Sequence, residues 1–270
     1  MSVVETVQGA SPVILGFPHT GTEIPAEIYA RLNETGRMLA DTDWHIHKLY
    51  ANLLPGASTV RATFHRYVID ANRDPDGTSL YPGQNTTGLV PLTDFDGNAI
   101  WISGQEPGAR DITQRLNNYH APYHRALSEE VARVHAKHGI AVLYDCHSIR
   151  SRIPFLFDGC LPDFNVGTDS GRSCFKELEV AVCSVTNLTE EFTSTLNGRF
   201  KGGWTTRRYG RPADGIHAIQ MELSQISHLK SEAAPFALDA LKVERLRVPL
   251  KAILEKIEQL ALAAVSKSKE

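Results

Sequence analysis

The sequence predicts an α/β fold, a single domain over residues 1–270 with a central mixed, mostly parallel sheet flanked by helices. Three observations predict it. Short, continuously apolar runs at 13–17 and 140–144 have the character of strands covered on both faces. Segments at 41–54, 111–137 and 232–265 space their apolar residues at helical intervals. The two kinds of segment alternate along the chain, with no internal repeat and no low-complexity linker between them.

Val13 to Phe17 reads as a buried strand ending at Pro18, and Pro25 can open a short helix through Leu32. Asp41, Thr42 and Asp43 give an acidic start to a helix carrying Trp44, Ile46, Leu49, Leu53 and Leu54, with Gly56 as its stop. Ser58 to Thr63 and Tyr67 to Asp70 read as strands. The stretch from Ala71 to about Arg110 is rich in Gly, Pro, Asn and Asp, a length of loop that is often functional. Asp111 to Lys137 reads as a helix kinked near Pro122 and stopped by Gly139, and Ile140 to Tyr144 as a central parallel strand. Further on come a short strand at Ile153 to Phe157, a loop at Asn165 to Gly171, and helices at Arg172 to Ser184 and Thr189 to Leu196. His217 to Ser224 alternates strictly, as a strand does. Glu232 to Val265 is helical with an interruption at Pro249, and a charged tail follows.

With 270 residues, 42% of them hydrophobic, the chain can bury a sizeable core. A net charge of −3 leaves no surplus of Lys and Arg to neutralise phosphates, so neither nucleic acid nor an anionic membrane is an expected partner. No apolar run approaches the ~18 residues of a membrane span, and the N-terminus lacks a signal-peptide pattern, so a cytoplasmic protein is expected. The four cysteines form no C-x-x-C pair and should be free thiols. Cys146, between Asp145 and His147, is more economically a small buried residue than a nucleophile. There is no G-x-G-x-x-G, no P-loop and no G-x-S-x-G elbow, so nucleotide binding and serine hydrolysis lack support.

In open α/β sheets ligands gather at the carboxyl ends of the strands. Here those ends are unusually polar: His19 follows the first apolar run and His147 the central one, while Asp43 opens the first long helix. Two imidazoles and a carboxylate suit a divalent ion, Zn²⁺ first, that would acidify water and polarise an amide carbonyl. Asp41 and Glu23 compete with Asp43 for the acidic place, and His45 and His47 lie nearby as reserves. Glu222 stands inside a predicted strand, where burial raises a carboxyl toward neutrality and suits it to act as general base. Arg73 and Asn72, where a strand runs into the long loop, can hold a substrate carboxylate, and Arg150 and Arg152 are further candidates. Arg207 and Arg208 form another basic spot. Several cations beside the metal residues suggest a small dianionic substrate.

The segments Pro18 to Gly21, Asp41 to Trp44, Arg66 to Arg73, Ser79 to Gly83, Asp145 to Ser151, Asn165 to Thr168, Phe200 to Gly203 and Gln220 to Leu223 together resemble the N-formylglutamate deformylases, over about residues 12–260. The resemblance implies hydrolysis of N-formylglutamate to formate and glutamate, a last step in a route of histidine degradation. It also implies a fold similar to that of the zinc carboxypeptidases and aspartoacylase. Those relatives hold zinc with His, Glu and His, bind the substrate carboxylate with an Asn-Arg pair, and use a late Glu as base. Carried onto this chain, the roles fall to His19 and His147, to Asn72 and Arg73, and to Glu222. The ligand Glu three residues after the first His is Thr22 here, and Asp43 is the substitute. An amidase of the same fold acting on another N-acyl amino acid, or an inactive binding protein, are the alternatives.

Overall fold

The computed structural model describes residues 2–79, 83 and 85–267. Seven strands make one mixed sheet in the order β1-β3-β2-β4-β7-β5-β6. They are β1 (Val4–Val7), β2 (Val13–Phe17), β3 (Ser58–Ala62), β4 (Ala141–Ile149), β5 (Phe164–Gly167), β6 (Ser194–Leu196) and β7 (Ile216–Ser224). The four central strands β3, β2, β4 and β7 are parallel, so their carboxyl ends share one edge. β1 and β5 run antiparallel to their inner neighbours, and β6 runs parallel to β5.

The helices are α1 (Ala26–Tyr29), α2 (Glu34–Arg37), α3 (Ile46–Leu49), α4 (Ala109–Arg115), α5 (Ala121–His138), α6 (Lys176–Leu188), α7 (Trp204–Tyr209) and α8 (Ala240–Lys267). One core packs α3, α6 and α8 on Val13, Leu15, Tyr144, Cys146, Ile219 and Met221. The other packs α5 and α1 on Ile14, Leu143, Ala141 and Ala218. All nine residues of β4 and of β7 are buried. Among the described residues no helix is long and apolar enough to cross a membrane.

Several expectations need correction. The helix expected over 41–54 is only the four residues of α3, because His45 takes a left-handed φ of 62° and breaks any helix before it. Tyr67 to Asp70 is not a strand: a turn at Tyr67 and Val68 runs into irregular backbone, and Arg115 of α4, not a neighbouring strand, holds the carbonyls of Tyr67 and Val68. Ile153 to Phe157 is also a turn, closed by Phe157 N donating to Ile153 O at 3.0 Å. The expected loop at 165–171 overlaps β5, whose Phe164 and Val166 enter the core, and the helix expected at 189–196 does not form, a turn there leading into β6. α8 begins only at Ala240, where Asp239 Oδ1 accepts from Leu241 N and Lys242 N, and it runs through Pro249 without ending. The kink expected near Pro122 is a π turn, Leu116–His120, joining α4 to α5. Leu80, Tyr81 and Pro82 of the Ser79–Gly83 motif, and Ser268 to Glu270 of the charged tail, lie outside the described residues.

Candidate active site

Strand parity builds the site. On β4, Ala141 and Leu143 face the α5 core, and the next residues on that face are Asp145 and His147. On β7 the same face passes from Ala218 to Gln220 and Glu222. Glu222 stands in register with His147. His19 follows β2 directly, and Asp43 is tied to it through Asp43 N donating to His19 O at 3.0 Å. Four distant stretches of chain therefore converge at the carboxyl edge of the sheet.

His19, Asp43 and His147 are all at least 98% buried. The two Nδ1 atoms lie 3.2 Å apart, and Asp43 Oδ2 is 3.1 Å from that of His147 and 3.7 Å from that of His19. Three ligands at ~2.0–2.1 Å from one tetrahedral ion stand ~3.3 Å apart, so these separations suit a shared Zn²⁺-sized ion. The outer faces of the rings agree. Asp70 Oδ1 accepts from Asn72 N at 2.8 Å and from His19 Nε2 at 2.7 Å, which puts the His19 proton on Nε2 and leaves its Nδ1 lone pair facing Asp43. His147 Nε2 is 2.9 Å from Asp145 Oδ2 and 3.1 Å from Asn72 Nδ2. Asp145 Oδ1 and Asp70 Oδ2 are buried without a hydrogen-bond donor among the described residues. Four buried carboxyls, those of Asp43, Asp70, Asp145 and Glu222, meet two imidazoles and the Arg66 guanidinium here. A cluster so rich in acids is suited to a further cation.

The electrostatics follow from that crowding. Burial works to raise the Asp43 carboxyl, but the His147 and His19 imidazoles against it and the nearby Arg66 guanidinium outweigh this and hold Asp43 well below the usual range. Glu222 moves the other way. Its burial raises the carboxyl, the Asp43 charge adds to this, and the opposing pull of His147 and Arg66 is smaller. Gln220 Nε2 donates to Glu222 Oε2 at 3.1 Å and orients it.

Of these groups, His19, His147, Gln220 and Glu222 line a cleft. Arg66, Arg73 and Arg199 bring positive charge to it, and Phe95, Leu156 and Phe200 supply apolar surface. Arg66 Nη2 touches His19 Nδ1 and lies 3.8 Å from Asp70 Oδ2, with its guanidinium over the Phe95 ring. Arg73 Nη2 donates to Thr87 Oγ1 at 3.0 Å, and its Nη1 approaches Asp70. Asn72 Oδ1 accepts from Thr205 N at 2.8 Å, at the start of α7. Gly203 must be glycine here, since a Cβ would come within 2.3–2.7 Å of the Asn72 carboxamide.

The structure thus brings together His19, Asp43, His147, Glu222, Asn72 and Arg73. It does not bring in the other candidates. Asp41 accepts from Tyr67 Oη and Phe95 N, and Glu23 is exposed beside Phe64. Arg150 pairs with Asp96 at 2.8 Å, Arg152 is exposed, and neither lines the cleft. Both were expected to bind substrate from their closeness to His147 in sequence, but the chain leaves the sheet at Ile149 and carries them away. His45 Nε2 meets Phe236 O, and His47 lies in a separate pocket. Arg207 is 3.4 Å from Asp169, away from the floor. Cys146 faces the opposite core, and burial pushes its thiol up. Sequence reasoning gave no role to Arg66, Asp70, Asp145, Gln220 or Arg199. Asp145 was findable by the argument used for Glu222, a carboxylate inside an apolar strand.

Comparison with known proteins gives a consistent picture. A family profile described as N-formylglutamate amidohydrolase matches residues 11–228. An N-formylglutamate deformylase of Pseudomonas aeruginosa is 44% identical over 257 residues, covering 94% of this chain and 96% of the relative. One from Pseudomonas putida is 43% identical, covering 95% and 94%. The crystal structure of an N-formylglutamate amidohydrolase from Ralstonia eutropha superimposes with a TM-score of 0.77 at 23% identity, covering 99% of this chain and 98% of that one. At that identity the likeness shows the fold.

Proposed function

The chain belongs to the N-formylglutamate amidohydrolase family, and from that premise we propose that it hydrolyses N-formyl-L-glutamate to formate and L-glutamate with a divalent metal, Zn²⁺ by its donor set. The observation that carries this reading is the convergence of His19, Asp43 and His147 beside the buried Glu222 in an arginine-lined cleft. His19, Asp43 and His147 would hold the ion, which when bound supplies Lewis acidity to the amide carbonyl and to water. Glu222 takes the proton of the attacking water and returns it to the departing amide nitrogen, so that the C–N bond breaks as the new C–O bond is made. Asn72 and Arg73 hold a substrate carboxylate, and the cleft's remaining guanidinium groups favour a second one. Phe95 and Phe200 supply apolar surface to the cleft, and formyl, the smallest acyl group, asks for a tight space beside the ion. The activity would close a route of histidine degradation. Free cysteines suit the reducing cytoplasm.

Formate release from N-formylglutamate tests the proposal. Turnover should be abolished by a chelator and restored by Zn²⁺, and faster hydrolysis of acetyl- or succinylglutamate would assign a different amidase. Glu222→Gln should lower kcat by ~10²–10⁴-fold with KM little changed, and an unaltered kcat would remove Glu222 from the chemistry.

A further inference from the structure

One helical rod grips the substrate-binding segment from behind. It comprises α4, the π turn and α5, and it meets main-chain carbonyls of the stretch 67–73 through three side chains. Arg115 Nη1 donates to Val68 O at 3.0 Å, His124 Nε2 meets Ala71 O at 2.7 Å, and His120 Nε2 meets Arg73 O at 3.0 Å. A carbonyl only accepts, so both rings carry a proton on Nε2. Burial favours the neutral form of each, and it pushes His124 down to about 3.

The π turn makes this grip geometrically possible. In a regular α-helix Arg115 and His120 would point ~140° apart. The turn closes with Ala121 N–H on Leu116 O, a wider ring that stacks residues five apart. Pro122 follows directly and lacks the N–H that regular winding would use. The arrangement also closes on its far side. Trp204 packs on His124 and His120 with ring centroids 4.6 and 5.5 Å away. Thr205 N, the next residue, donates to Asn72 Oδ1.

We propose that His120 and His124 are positioning residues for substrate binding. By fixing the carbonyls on either side of Asn72, they present its amide and the Arg73 guanidinium as a preformed pair to the substrate carboxylate. The inference rests on the reading of Asn72 and Arg73 given above, and the test separates the two.

The metal-loaded, full-length enzyme is compared with His120→Leu, His124→Leu, His120→Asn and the matching Gln variants. The Leu variants and His120→Asn, whose shorter amide cannot reach Arg73 O, should raise KM for N-formylglutamate by roughly 10–100-fold. They should change kcat far less and leave the bound metal unchanged, and Gln, which keeps a donor near the Nε2 position, should restore most of the affinity. His120→Asn keeps the site polar and serves if a Leu variant does not fold. A wild-type KM in His120→Asn, or equal losses in KM and kcat accompanied by metal loss, would overturn the inference. Arg73→Ala is the control. If it raises KM while the histidine variants do not, the positioning role alone fails; if it leaves KM unchanged, the reading of the Asn72–Arg73 pair fails.

Discussion

Asp70 and Asp145 each touch the far side of an imidazole whose near side faces Asp43. Carboxylates so placed fix the ring tautomer and strengthen the donor nitrogen. Asp145→Asn and Asp70→Asn should each weaken metal binding by ~10–100-fold, read by competition with a chromophoric chelator. Unchanged affinity in both would count against His19 and His147 as ligands. Polar side chains where the chain should be apolar made much of the site legible: His19 and His147 after or within buried runs, Glu222 within an alternating one. The acidic partner was harder to read. Asp41, Asp43 and Glu23 are chemically equivalent in sequence, and only the bond from Asp43 N to His19 O sets one of them against the two rings. Arg150 and Arg152 show the opposite case, since one and three residues beyond the end of β4 suffice to leave the lining of the cleft.

Among the elements, the segment 65–73 carries Arg66, Asp70, Asn72 and Arg73, yet the apolar residues within 67–70 made that part look like a strand. Val68, Ile69 and Ala71 do enter the core, so the burial was readable. The backbone geometry was not, because it depends on Arg115, His120 and His124, some 40–55 residues away. Likewise the apolar spacing of 41–54 was sound, and Ile46, Leu49 and Leu53 are core residues, but the left-handed turn at His45 has no periodic signature. The entry to α7 is as demanding as a helix end can be. Gly203→Ala would drive a methyl into the Asn72 amide, and kcat/KM should fall by about 100-fold while metal content stays constant. A fully active Gly203→Ala would show that Asn72 can move without consequence.

For the molecule as a whole, the order of apolar runs sufficed to predict a mixed sheet with helices on its faces, whereas the short strands β5 and β6 at one side of the sheet did not stand out beside their Gly and Asn neighbours. Global stability should also respond to pH through buried imidazoles. Burial pushes His217 and His228 down to about 4. An unfolded chain takes up these protons below about 6.5, so the stabilisation is complete above that pH and is lost as pH falls through about 4. Between pH 7 and 4.5 the Tm of the wild type should therefore drop further than that of His217→Gln; parallel losses would sink the assignment. The alternation along β4 and β7 has one more consequence. Tyr144, Cys146, Ile219 and Met221 serve the α6–α8 layer, while their immediate neighbours His147, Gln220 and Glu222 line the cleft and Asp145 meets His147 beside it. Sequence drift on one side of the sheet is thereby insulated from the other, so selection for a new acyl group can work on alternate positions without loosening the hydrophobic layer behind them.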